Sequence, residues 1–188
     1  ADALKVSMKL FAVNRKSLVD RLKKTVPNLP EKSLILLQGG VSETRHCSDH
    51  EEVFRQESYF HWCFGVTEAD CYGAIDVDSG KAILFPPMLP KEYGIWMGKI
   101  QPVEFFQNKY EVDEVHFADK LKEFLDTKKD STILTLYGLN TDSGNYTRTT
   151  ATFSGIEDFK VNRDILHPVI TECRVFKSEM ELEVMRYA

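Results

Sequence analysis

Cys71-Tyr72-Gly73-Ala74-Ile75-Asp76-Val77-Asp78-Ser79-Gly80-Lys81-Ala82-Ile83-Leu84-Phe85 is the stretch that decides the fold. Cys71 to Asp76 reads as a strand, Asp78-Ser79-Gly80 supplies the turn, and Ala82-Ile83-Leu84-Phe85 returns as the hairpin partner. Pro86, Pro87 and Pro90 end the return strand, because proline lacks the N–H that a ladder needs.

Working outward, Leu34-Ile35-Leu36-Leu37 is apolar at every residue, which fits a strand covered on both faces. Gly39-Gly40 ends it, and a polar stretch follows from Ser42 to Glu52. In Tyr59-Phe60-His61-Trp62-Cys63-Phe64, an extended chain would put Phe60, Trp62 and Phe64 on one face. Asn14 suits a helix cap, with Val19, Leu22 and Val26 on one face before Val26-Pro27-Asn28-Leu29-Pro30 stops the helix. Downstream, Pro102 is placed as a first helical residue, with Val103, Phe106 and Tyr110 on one side. Leu121, Phe124 and Leu125 mark a further helix; Val115-His116-Phe117 and Thr132–Leu136 read as strands. A turn-rich loop spans Gly138 to Thr149, and Asp164 to Cys173 reads as partly helical, with Pro168 at a break or a first turn. Strands interleaved with helices, plus one hairpin, predict an α/β domain with a mixed β-sheet flanked by helices.

Composition narrows the function classes. The 188 residues are 43% hydrophobic and 28% charged, values of an ordinary globular chain. A formal charge of −5 without a basic cluster argues against a nucleic-acid or anionic-membrane partner, both of which are themselves anionic. No apolar run approaches the roughly 20 residues that cross a bilayer. The start Ala1-Asp2-Ala3-Leu4-Lys5 shows no signal-peptide pattern. Cys47, Cys63, Cys71 and Cys173 form no Cys-x-x-Cys pair, so reduced thiols and a cytoplasmic setting are expected. Asn145-Tyr146-Thr147 matches a glycosylation sequon, which is empty without secretion.

Candidate chemistry is sparse. His46 and His50, four apart beside Cys47, Asp49 and Glu51, form the best-looking metal cluster. A zinc site needs three or four ligands, and the zincin pattern needs Glu where Cys47 stands, so a solvated polar loop is the reading. Asp76-Val77-Asp78-Ser79-Gly80 hints at a calcium loop, but its glycine comes one position early and Pro87 stands where the bidentate Glu belongs. Gln38-Gly39-Gly40 lacks both the dinucleotide spacing and the Walker lysine. Isolated His61, His116 and His167 read as ordinary histidines with one backbone partner. Trp96, in Tyr93-Gly94-Ile95-Trp96-Met97-Gly98, is different: a loop there can present its ring outward as a binding anchor, or the ring can be core.

The last residues start a helix. Ser178-Glu179-Met180-Glu181 is a capping box, and Met180, Val184 and Tyr187 then share a face. The sequence stops at Ala188 with no closing glycine. Two readings stand: a terminal helix docked on its own domain, or a helix belonging to a longer chain.

Long runs of the sequence resemble the prolidase family. They are Phe54–Trp62, Phe64–Glu68, Cys71–Gly80, Trp96–Ile100, Asn140–Gly144, Ile165–Pro168, Glu172–Lys177 and Met180–Val184, in order across nearly the whole chain. Lys91-Glu92-Tyr93-Gly94 departs from the family pattern. The resemblance implies a creatinase/prolidase N-terminal-domain fold, ribonuclease H-like, over residues 1–177. Residues 178–188 would then begin the first helix of a pita-bread catalytic domain. It further implies a metallopeptidase for Xaa-Pro dipeptides. Two manganese ions would be held by two Asp, one His and two Glu of that catalytic domain, so no catalytic or metal residue is assigned here. This part would serve dimerisation and active-site covering in a homodimer, with Trp96 reaching the neighbouring subunit's substrate pocket. The alternative is a complete, non-catalytic binding or regulatory module that keeps the fold.

Overall fold

The structure, a computed structural model, describes residues 4–147 and 150–188. Ala1–Ala3, part of the N-terminal reading, and Thr149, the end of the turn-rich loop, lie outside the described residues. The elements in order are α1 (Lys9–Thr25), β1 (Ser33–Gln38), α2 (Ser58–Phe64), β2 (Tyr72–Asp76), β3 (Ala82–Phe85), α3 (Tyr93–Met97), α4 (Val103–Tyr110), β4 (Glu114–Val115), α5 (Leu121–Asp126), β5 (Thr132–Thr135), β6 (Lys160–Asn162), α6 (Leu166–Cys173) and α7 (Glu179–Tyr187).

Among the described residues one mixed sheet forms, in the order β4-β3-β2-β1-β5-β6. The expected hairpin pairs Tyr72 with Phe85 and Ile75 with Ala82, antiparallel. β1 runs antiparallel to β2 and parallel to β5, so it is where the meander meets the parallel half. The expected apolar strand is covered on both faces: Leu34, Ile35, Leu36 and Leu37 are all at most 1% exposed. Burying each such side chain contributes about 1.5–3 kcal/mol. Ile35 and Leu37 enter a core with α1, α2, α4 and α6, while Leu34 and Leu36 enter a second core with Leu121 and Leu125 of α5 and with Phe159.

Three expectations are corrected. Asn14 is not a cap: α1 begins at Lys9, and Asn14 is 3% exposed inside it, its amide donating to the Trp62 carbonyl at 3.0 Å. Tyr59–Phe64 is helical rather than extended. The Glu57 carboxylate accepts the Phe60 N–H at 2.7 Å to start α2, and Gly65, at φ 64°, ends it in the left-handed region. Tertiary covering of most of its surface then permits an aromatic-rich helix where alternation suggested a strand: Phe60, Cys63 and Phe64 are 0% exposed and Trp62 9%, with Ser58 and His61 left exposed. The Trp96 stretch is not a loop but the single helical turn α3. Pro168 sits in the first turn of α6, where its missing N–H has no helical acceptor to lose.

Candidate functional site

The segment after β3 builds the first feature. The Tyr93, Gly94 and Ile95 N–H groups donate to the carbonyls of Pro90, Lys91 and Glu92 at 3.0–3.1 Å, which coils the chain into α3. The Gly98 N–H closes it on the Gly94 carbonyl at 3.1 Å. This turn leaves Trp96 83% exposed and Ile95 78% exposed, with Met88 and Tyr93 beside them in sequence also exposed. Trp96 is therefore a surface residue and not a core residue. Ile95 is a second exposed apolar group that the sequence reading passed over. Adjacent exposed Ile and Trp on one short helical turn can insert into an apolar pocket.

The second feature is the seam between the domain body and α7. The expected capping box forms: Ser178 Oγ accepts the Glu181 N–H at 3.3 Å and Glu181 Oε2 accepts the Ser178 N–H at 2.7 Å. Glu181 Oε1 also accepts the indole N–H of Trp62 at 2.8 Å, which ties α7 to α2. No residue of α7 is buried; Met185 and Tyr187 are 60% and 57% exposed. Between them runs a groove of about 980 Å³, with Phe11, His61, Trp62, Val184 and Met185 among its walls. His61 packs edge-on to Phe11, and partial burial of the imidazole lowers its pKa. Beneath, the buried Arg15 donates to the Cys63 carbonyl at 2.8 Å.

The remaining candidates separate. His46 and His50 are exposed on a small hairpin arm, where the Arg45 N–H donates to the His50 carbonyl at 2.7 Å, so they do not share a helix face. Among the described residues no group of three or more His, Cys, Asp or Glu side chains converges as a metal site. Asp76 serves the hairpin turn, accepting the Asp78 and Ser79 N–H groups at 3.1 and 3.0 Å and pairing with Lys128 at 3.0 Å. Gly39-Gly40 is no phosphate cradle, since its N–H groups already donate to Cys71 O at 2.8 Å and Gln56 Oε1 at 2.5 Å. Cys63 and Cys71 are buried and Cys47 is exposed; all are free thiols. Among the described residues no helix is long and apolar enough to cross a membrane.

Residues 11–137 match the family described as "Aminopeptidase P, N-terminal domain". The chain is 54% identical over 186 residues to Xaa-Pro dipeptidase of Pongo abelii and 53% identical over the same length to that of Homo sapiens. In both cases 99% of the chain is aligned, and it spans 37% of the relative's length. Among solved structures it resembles aminopeptidase PepP of Pseudomonas aeruginosa (TM-score 0.72, 19% identity, 99% of this chain and 42% of that one). It also resembles the zinc-substituted aminopeptidase P of E. coli in complex with product (TM-score 0.69, 19% identity, 98% and 42%). At such identities the structural likeness establishes the fold alone.

Proposed function

The chain belongs to the aminopeptidase P N-terminal-domain family, and from that premise we propose that it is the N-terminal, non-catalytic domain of a manganese-dependent Xaa-Pro dipeptidase. In this reading residues 1–177 form the domain, and residues 178–188 begin the first helix of a catalytic domain that the longer relatives also have room for. In the same reading two manganese ions would be held by that catalytic domain. The domain's own work is to pair two subunits and to cover the neighbouring substrate pocket, favouring dipeptides over longer peptides. A cytoplasmic setting accords with four free cysteines.

The observation that carries this reading is the exposure of Trp96 and Ile95 on α3. A ring that is 83% exposed contributes little to its own domain and is free to pack against a second surface. In the full-length enzyme, Trp96→Ala is expected to lower kcat/KM for Gly-Pro while leaving the melting temperature in place, because exposed substitutions usually stay within about 0.5 kcal/mol. Unchanged Gly-Pro kinetics would remove Trp96 from the site. A large drop in melting temperature would place the ring in a core instead.

A further inference from the structure

We propose that Gly98 is the positioning residue for Trp96: its backbone reverses the chain directly after α3 and so fixes the direction in which Ile95 and Trp96 project. The inference rests on the covering role proposed for Trp96.

Gly98 sits at φ 82° and ψ −147°. That corner of backbone space is essentially restricted to glycine, because a Cβ would collide with the residue's own flanking carbonyls. Among the described residues, its two chain neighbours apart, a Cβ placed there meets nothing within 4 Å. The requirement at 98 is thus conformational and not one of space. Gly94, inside the turn, has no left-handed φ.

Gly98 acts on the turn in two ways. Its N–H closes α3 on the Gly94 carbonyl at 3.1 Å. Its reversal also brings Ile100 back beneath the turn, where the side chain lies 3.9 Å from the position of a Cβ on Gly94. A helical segment of five residues cannot hold its own direction. The Pro90–Glu92 carbonyls fix its front, and Gly98 with Ile100 fixes its rear. An L-residue at 98 relaxes toward negative φ, which swings the following chain away. Either the closing hydrogen bond or the Ile100 contact is then lost, and the indole leaves its direction.

The test has two arms. The 188-residue chain holds two tryptophans, so in that chain, expressed by itself, Trp62→Phe leaves Trp96 as the sole indole. In that background Gly98→Ala is expected to speed the local anisotropy decay of Trp96 while circular dichroism stays unchanged and the melting temperature falls by no more than the loss of one surface hydrogen bond explains. Gly94→Ala, which meets Ile100 only at ordinary contact distance, is expected to leave the decay alone. An anisotropy decay identical to that of the parent would overturn the inference.

In the full-length enzyme Gly98→Ala is expected to lower kcat/KM for Gly-Pro on the order of tenfold to a hundredfold, the cost of a small misplacement. In a Trp96→Ala background the same change is expected to add no further loss; losses that multiply would contradict a role acting through the indole. If Trp96→Ala itself leaves turnover untouched, the covering role fails, and the anisotropy arm alone decides what Gly98 does.

Discussion

Replacing Gly65 by Ala probes the junction that defines α2. Gly65 ends that helix at φ 64° and ψ 12°, its N–H donating to the His61 carbonyl at 2.8 Å. Two costs arise. A left-handed conformation costs an L-residue about 1–2 kcal/mol. The new Cβ would also stand 2.3 Å from Cε2 and 2.5 Å from Cζ of Phe11, whose ring is 6% exposed and cannot simply swing into solvent. Overpacking of that kind costs about 1–3 kcal/mol. Together the loss is about 2–5 kcal/mol, which lowers a urea midpoint by about 1–2 M at ordinary slopes. Phe11→Leu in the same chain should recover the steric part and leave the backbone part, giving a double-mutant coupling on the order of 1–2 kcal/mol. An unchanged midpoint for Gly65→Ala would refute the left-handed cap together with the close approach of Phe11, and losses that only add in the double variant would refute the close approach.

Thr135 is 0% exposed and among the described residues its hydroxyl has no hydrogen-bond partner, so Thr135→Val should stabilise the chain by about 1 kcal/mol; a lower urea midpoint would mean that the hydroxyl has a partner. Burial pushes the Cys63 and Cys71 thiols up, while Cys47 is exposed. Ellman's reagent at pH 8 should therefore modify Cys47 in the native chain and reach the buried Cys63, Cys71 and Cys173 only on unfolding, and rapid native labelling of any buried thiol would contradict its placement. Burial opposes ionisation of Asp76, but the Ser79 N–H and the Lys128 ammonium outweigh it and hold its carboxyl below the usual 3.8. A lowered folded pKa adds stability above the usual value that is lost as pH falls through the folded one. Asp76→Asn should thus destabilise at pH 7 and flatten the acid limb below about pH 4, whereas an acid limb identical to the parent's would assign that loss to other groups.

How far the sequence carries depends on where each signal resides. The hairpin of β2 and β3 was legible because apolar runs and turn chemistry are both local, and the both-faces burial of β1 was legible because every residue from Leu34 to Leu37 is apolar. The start of α1 was not: Met8 stands at the cap with no side-chain bond, and the polar residue that looked like a cap, Asn14, serves a carbonyl 48 residues away. In α2 the β-prone aromatics misled, although Glu57 before the run and Gly65 after it were the cap signals to weigh. β6, three residues at the sheet edge, carries too little pattern to stand out. At the site, Trp96 stood out by residue type, but whether it faced solvent depended on α3, a five-residue helical segment too short for periodicity to report.

The proposal that this domain covers a neighbouring subunit's pocket is tested most directly by proximity. A photo-crosslinking amino acid placed at position 96 of the full-length enzyme, followed by mass spectrometry of mixed isotopically light and heavy subunits, reads which chain the side chain touches. The covering role expects light-to-heavy crosslinks that map to residues around the partner's substrate pocket and are suppressed by a bound Xaa-Pro inhibitor. Crosslinks confined to the same chain, with none between subunits, would contradict it.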